Sequence, residues 1–281
     1  MKYVRLIKED NIIPGLVDND CNVRDLSSIT DDIDGNAINS ILDNKLNNDT
    51  INTLPIVGSL DNVELLAPIK DVGKLICIGA NSKHHIQEMN LEQPKDITFF
   101  MKAITSLTDP YNDIAYPKIC KKLDWEAELA IVIGKKAKYV NEDDALNHIF
   151  GFCLLNEISD RYWQFENNNT QYTKGKSFDD FAPIGPYIVT LDEINDLDDI
   201  DLELKVNGKV KQSFKSSEYI FNVRQIIAYC SRFFTLNSGD IISFGTGPGV
   251  GHSYSTYLEV GDIIELSSTI LGKQKNQIIS E

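Results

Sequence analysis

The sequence predicts a mixed, mainly β protein with a few short helices and a small N-terminal α+β domain. Three observations carry this. Short apolar runs rich in Ile and Val recur, several ending at glycine, as in Lys74-Leu-Ile-Cys-Ile-Gly79 and Leu129-Ala-Ile-Val-Ile-Gly134; such runs read as buried strands. Asn207-Gly208 sits between strand-like segments, a two-residue hairpin signal. The strands mostly follow one another without long intervening helices, which argues against a doubly wound parallel sheet.

The chain has 281 residues and a formal net charge of −15. That length corresponds to one or two domains with ample core material. The negative charge argues against nucleic acid or an anionic membrane as partner, although a local basic cluster or a metal can still receive an acidic substrate. No apolar run is long enough to span a bilayer, and the first residues lack a signal-peptide core. The expected location is therefore the cytoplasm. None of the five cysteines forms a CxxC pair or a zinc spacing. Cys77 and Cys153 lie in apolar runs and read as small core residues.

In order, residues 1–70 read as a small separate domain and 71–281 as the main one, with Pro68–Gly73 as the boundary. Tyr3–Ile7 and the segment at Gly15 pair as short strands, and residues 29–53 carry Ile and Leu at helical intervals. After the strand 74–79 comes a polar stretch, Ala80–Met89, read as a short helix or lid. There His85 and Glu88 share a face at i,i+3. An imidazole held by a carboxylate is a general-base arrangement, although the spacing alone is more often an incidental pair on a solvated helix. Thr98–Lys102 is a strand and Asp143–Ile149 a short helix whose His148 reads as structural. Ala182–Pro186 reads as a rigid loop leading into a strand at Tyr187. Leu202–Lys211 is a hairpin, Val223–Phe234 a helix, and Tyr257–Leu266 a closing hairpin around Gly261-Asp262.

The chemistry gathers on Leu123-Asp-Trp-Glu-Ala-Glu128 and the strand behind it. Alternation places Asp124, Glu126 and Glu128 on one face. Several buried carboxylates need a compensating cation or proton, and hard ions such as Mg²⁺ take oxygen ligands. A strand whose first residues project into solvent has the same pattern, and the stretch alone leaves both open. A second strand, Gly151–Leu155, runs into Asn156-Glu-Ile-Ser-Asp-Arg161, which offers Glu157, Asp160 and Arg161, with Gln164 beyond. A polar corner with Arg161 pairing locally competes with that reading. Lys174-Gly-Lys-Ser is not a phosphate loop, because Thr170 stands where glycine is required. Gly245–Gly251 is not a dinucleotide fingerprint, because Val250 stands at its third glycine and no helix follows. Such a loop can still present backbone N–H groups to a bound carboxylate.

In the same order these segments resemble the fumarylacetoacetate hydrolase family over roughly residues 72–272. The resemblance lies in Gly79-x-Asn81-x-x-x-His85-x-x-Glu88, in Asp124-Trp-Glu126-Ala-Glu128, and in Asn156-Glu157-Ile-Ser-x-Arg161-x-x-Gln164. It continues in Gln171-Tyr-x-Lys-Gly-Lys176 and in Gly245-Thr246-Gly-x-Gly-Val-Gly251. A leading domain of this size before the core resembles the ureidoglycolate lyase-like or 2,4-diketo-3-deoxy-sugar-acid hydrolase branch. Glu157 stands where the family usually has Asp, and Ser82 where it often has Tyr.

The resemblance implies a β-roll core, a homodimer, and Mg²⁺ or Mn²⁺ held by Glu126, Glu128 and Glu157. It implies His85, Glu88 and Lys176 as catalytic residues, and Arg161, Gln164, Lys176 and Thr246 as substrate-binding ones. Asp160, three residues past Glu157, is expected to point elsewhere. The implied reaction is hydrolysis of a C–C bond in a 2,4-dioxo acid to pyruvate and a second acid. Decarboxylation or tautomerisation of a small 2-oxo acid such as oxaloacetate is the alternative on the same scaffold. A metal-dependent dicarboxylate binder without catalysis is the alternative outside enzymes.

Overall fold

The computed structural model describes residues 1–44, 46, 48–167 and 170–281, with the side chains at 43, 44, 48 and 49 left aside. The helical expectation at 45 and 47 falls outside the described residues. The N-terminal part contributes β1 (Lys2–Lys8), β2 (Asn11–Val17), β3 (Asn22–Asp25), α1 (Gly35–Asn44), α2 (Asn48–Thr53), β4 (Ile56–Ser59) and β5 (Glu64–Leu66). The remainder begins with β6 (Leu75–Gly79), α3 (Lys83–Glu88), β7 (Thr98–Lys102), β8 (Leu107–Thr108), β9 (Ile114–Tyr116), β10 (Leu123–Asp124) and β11 (Ala127–Ile133). It continues with β12 (Ile149–Asn156), β13 (Ser159–Asp160), α4 (Tyr172–Lys176), β14 (Ala182–Val189), β15 (Asp201–Val206) and β16 (Lys209–Lys215). It ends with α5 (Val223–Phe233), β17 (Ile241–Thr246), β18 (Ile263–Ser268) and β19 (Gly272–Ser280).

The largest sheet runs β4-β3-β2-β1-β14-β12-β11-β17-β6-β7, with β5 on β1 and β8 on β14. A second sheet runs β16-β15-β18-β19-β9. β1 and β2 pair in full antiparallel register, and β1 also meets β14 at Lys2–Val189 and Tyr3–Ile188. The N-terminal strands therefore prolong the large sheet.

The middle of that sheet explains the uninterrupted apolar runs. In β11, Leu129, Ile131 and Ile133 pack into one hydrophobic core, while Ala130 and Val132 pack into another on the opposite face. Both faces are dry, so neither shows the polar alternation of a half-exposed strand. Glu128 belongs by parity to the face of Ala130 and Val132. Asn207 and Gly208 both have positive φ and close the β15–β16 hairpin at Val206–Lys209, as the type I′ turn requires.

Two expectations are corrected. Ala182–Pro186 is no loop: β14 is extended from Ala182 to Val189 and buried throughout. Pro183 falls where the strand pairs with only two residues of β8, and the β12 side shifts register between Phe152 and Leu154. A proline without an N–H is tolerated at such irregular places. The closing hairpin is also displaced. Residues 257–262 are not a strand, and the pair is β18 with β19, while Gly261-Asp262 only turns the chain into β18.

Candidate active site

The carboxylates meet because β11 and β12 pair. Ala127 lies opposite Asn156, which puts Glu126 and Glu157 at the same end of the two strands. The Glu157 N–H donates to the Glu126 carbonyl at 2.8 Å, and the Asn156 side-chain oxygen accepts from the Glu126 N–H at 3.1 Å. One carboxylate oxygen from each of Glu126, Glu128 and Glu157 lies within 4.8 Å of the others, and all three residues are buried.

Each carboxylate has its own surroundings. Glu126 accepts from Arg161 Nη2 at 2.8 Å and from Lys176 Nζ at 2.5 Å. Burial alone would raise its pKa, but Arg161 and Lys176 outweigh burial and hold it below the usual carboxylate range. Glu128 accepts from the Ser243 hydroxyl, and from the Gly245 N–H at 3.1 Å. Burial, and then the facing carboxylates of Glu157 and Glu126, push its pKa well up. Glu157 Oε1 lies 3.2 Å from Lys176 Nζ and 3.7 Å from Lys102 Nζ. Neither is in hydrogen-bonding geometry, so this buried oxygen has no hydrogen-bond partner among the described residues. A buried carboxylate oxygen left unpaired costs free energy. An orphaned oxygen among three clustered carboxylates fits a hard divalent cation, for which Glu126, Glu128 and Glu157 are the donors present.

Asp124 does not join them, contrary to the alternation. The strand is interrupted at Trp125 and Glu126, between β10 and β11, so side-chain parity does not carry across. Its carboxylate turns instead to the Gly251 and His252 N–H groups and to Arg161 Nε at 2.8 Å. Asp160 is also elsewhere: it accepts from the N–H groups of Lys121, Lys122 and Trp163 at 2.6–2.9 Å.

α3 begins at Ser82, whose hydroxyl accepts from the His85 N–H, and Asn81 anchors that end to the carbonyls of Phe221 and Phe244. His85 Nδ1 lies 2.9 Å from Glu88 Oε1. Both Glu88 oxygens also accept the Gly249 N–H, at 2.9 and 3.1 Å. The glycine-rich loop thus spends N–H groups of Gly245, Gly249 and Gly251 on the protein's own Glu128, Glu88 and Asp124, where the sequence pointed to a bound carboxylate. At Gly249, φ is +98° and a Cβ would lie 2.0 Å from the Lys211 carbonyl oxygen, so only glycine follows this path.

His85, Glu126, Glu128, Glu157, Arg161, Gln164, Lys176 and Thr246 line one cleft, with Glu88 behind His85 and an apolar wall that includes Met89, Leu91, Phe100 and Phe165. Lys176 is committed to Glu126 and, at 2.8 Å, to the Ser159 hydroxyl. Thr246 donates to the Ala127 carbonyl and accepts from Gln212. Sequence reasoning missed Lys102, Ser159 and Ser243. Two had a signal: Lys102 is a charge ending an apolar strand, and Ser243 a lone hydroxyl inside the run Ile241-Ile-Ser-Phe.

The model for the fumarylacetoacetate hydrolase C-terminal domain matches residues 74–279. The chain is 37% identical to a 2,4-didehydro-3-deoxy-L-rhamnonate hydrolase of a Sphingomonas species, covering 99% of this chain and 96% of that one. It is 39% identical to a mitochondrial oxaloacetate tautomerase of Xenopus laevis, covering 79% of this chain and 70% of the relative. Its fold superposes on a fumarylacetoacetate hydrolase from Exiguobacterium antarcticum with a TM-score of 0.87 and 32% identity over the full length of both chains. The chain is an enzyme and belongs to the fumarylacetoacetate hydrolase family.

Proposed function

We propose that the enzyme hydrolyses a C–C bond of a 2,4-dioxo acid, an acylpyruvate or a diketo-deoxy sugar acid, giving pyruvate and a second acid. The observation carrying this reading is a His85–Glu88 pair in one cleft with three buried carboxylates. With Nδ1 turned to Glu88, His85 accepts a water proton through Nε2. The hydroxide oxygen bonds to C4, the C3–C4 bond breaks, and its electron pair passes into the pyruvate enolate, which is then protonated at C3. Mg²⁺ or Mn²⁺ held by Glu126, Glu128 and Glu157 would supply Lewis-acid stabilisation of the enolate charge. Arg161 commits three of its five N–H donors to Asp124, Glu126 and Gln164, leaving two for a substrate carboxylate. Gln164 accepts from Arg161 through Oε1, so its amide NH₂ is left to orient the substrate. Lys176, whose ammonium lines the cleft, would stabilise developing negative charge, and Thr246, its hydroxyl proton held by the Ala127 carbonyl, would contact the substrate from the cleft wall.

The test is pyruvate release from a panel of 2-oxo and 2,4-dioxo acids with Mg²⁺. No release from any 2,4-dioxo acid overturns the reading. The relative named as an oxaloacetate tautomerase supports a second reading, enol–keto interconversion or decarboxylation of a small 2-oxo acid in the same cleft. His85→Ala separates the two. In the hydrolytic reading this variant keeps its metal affinity and loses turnover by roughly 10²–10⁴-fold; full turnover favours the second.

The same reading includes a homodimer and a cytoplasmic location. Unpaired cysteines at all five positions support a reducing compartment. It also includes a functional division at residue 70, supported by a family match that begins at 74.

A further inference from the structure

We propose that Asp124 is a positioning residue that couples the His85–Glu88 pair to the carboxylate cluster through the glycine-rich loop. The inference rests on the hydrolytic reading for its kinetic meaning, and on hydrogen bonds alone for its structural content.

Asp124 is fully buried and lines no part of the cleft, so it touches neither substrate nor the orphaned Glu157 oxygen. Its carboxylate is nevertheless saturated. Oδ1 accepts the Trp125 N–H at 2.9 Å and the Gly251 N–H at 2.7 Å. Oδ2 accepts the His252 N–H at 2.9 Å and Arg161 Nε at 2.8 Å. A carboxylate can satisfy donors on two sides at once, and charge-assisted bonds of this kind are strong.

Two branches leave this point. Through Arg161, Asp124 fixes the guanidinium that also holds Glu126 Oε1 and Gln164 Oε1, both at 2.8 Å. Through Gly251 and His252 it fixes the end of the loop whose Gly249 N–H grips both oxygens of Glu88, which in turn holds His85. The loop has little slack between these points. A Cβ on Gly251 would lie 2.1 Å from the Thr256 carbonyl oxygen and 2.6 Å from Asp124 Oδ1. The neighbouring Trp125 indole N–H holds the Gly249 carbonyl at 3.1 Å. A displacement of the loop at 251 is therefore passed on to Glu88. Misplacing a general base by about 1 Å costs up to roughly 10²-fold in rate.

In Asp124→Asn the amide keeps one acceptor, but its NH₂ faces either Arg161 Nε together with the His252 N–H or the Trp125 and Gly251 N–H groups, donor against donor, so the loop loses a bond in either orientation. The variant is read by hydrogen exchange of the Mg²⁺-loaded protein without substrate. Exchange is expected to rise in residues 249–252 and also in α3, which Asp124 does not touch. The reciprocal variant Glu88→Gln lies on α3, where Lys83, His84 and Gln87 are exposed, and is expected to raise exchange at 251–252, because coupling is mutual. In turnover, Asp124→Asn is expected to lower kcat more than it raises KM. Its double variant with Glu88→Gln should be about as slow as the slower single variant rather than showing the product of the two effects. Faster exchange confined to the loop in Asp124→Asn, no response at 251–252 in Glu88→Gln, or multiplicative rate effects each overturn the coupling. If no 2,4-dioxo acid is hydrolysed, the functional reading fails while the exchange arms still decide this inference.

Discussion

At the scale of single residues, the informative position is Glu157, the longer side chain at a place where the family resemblance leads one to expect Asp. The spacing Asn156-Glu157-Ile-Ser-x-Arg161 made it legible as a site residue. What the spacing left out was its electrostatic support. Lys102 has its ammonium buried against the carbonyls of Ile158 and Phe181 and 3.7 Å from Glu157 Oε1. Burial lowers the Lys102 pKa against the opposing pull of Glu157. No local pattern in Thr98–Lys102 announces a contact with a residue so far along the chain. Two predictions follow at this scale. Glu157→Gln should weaken Mg²⁺ binding in calorimetry more than Asp160→Asn, whose effect should fall on stability by about 1–3 kcal/mol through its N–H partners; the reverse order would put Asp160 in the metal site. Lys102→Met should lower stability in urea unfolding with chelator present, by up to about 3–5 kcal/mol, because it leaves the buried Glu157 carboxylate with only one of its two neighbouring ammonium groups, Lys176.

At the scale of elements, strands buried on both faces were legible and strands with polar inner faces were not. β11 and β12 announce themselves as unbroken apolar runs. β19 does not, because two of its inward residues are Gln274 and Asn276, buried amides. Gln274 Nε2 donates to the carbonyls of Leu154, Pro183 and Gly185, and Asn276 Nδ2 to those of Pro110 and Asn112. A strand whose inner face is polar has no hydrophobic period to read. The proline-punctuated first part of β14, Ala182–Pro186, was missed for the related reason that Pro183 sits at a register irregularity. Near the N-terminus an ion pair carries the docking of β1. Arg5 binds Asp32 through Nε at 2.6 Å and Nη2 at 3.0 Å. Burial alone would raise the Asp32 pKa, but bonds from Arg5 and the Ile33 N–H outweigh burial and lower it. A carboxyl whose folded pKa lies below its unfolded value, about 3.9, stabilises the fold above that value. The contribution is lost as pH falls through the folded pKa. Asp32→Asn should therefore be less stable than the unmodified chain at pH 7, by about 1–3 kcal/mol. The gap should narrow progressively below about pH 3.9. Denaturant titrations at neutral and acid pH check this, and a gap independent of pH would mean the pair does not control the docking.

At the scale of the whole molecule, the carboxylate cluster lies where it can load the entire fold. Its members extend from β11 and β12, the central strands of the large sheet, and Glu128 is held by Ser243 and Gly245 of β17. The counter-charges come from three further places in the chain: Lys102 at the end of β7, Arg161 after β13, and Lys176 at the end of α4. Arg161 is shared with Asp124, so the positive charge available to the three glutamates is incomplete. Burial first, and then the facing carboxylates of Glu157 and Glu126, raise the Glu128 pKa, and Glu157 Oε1 has no hydrogen bond among the described residues. A cation that binds only the folded chain relieves both penalties, and mass action converts its affinity into stability. At a free concentration of about 100 times Kd the gain is about 2.7 kcal/mol. For a chain of this length each kcal/mol moves Tm by roughly 2–4 °C, so the shift should be roughly 5–10 °C. Because the donors sit on the shared sheet, the shift should move one cooperative transition rather than split off a local one. Scanning calorimetry with increasing Mg²⁺, and again with chelator, reads it directly. Glu126→Ala and Glu128→Ala should fold yet lose the Mg²⁺-dependent part. An undiminished Mg²⁺ shift in both variants would mean that the ion binds elsewhere.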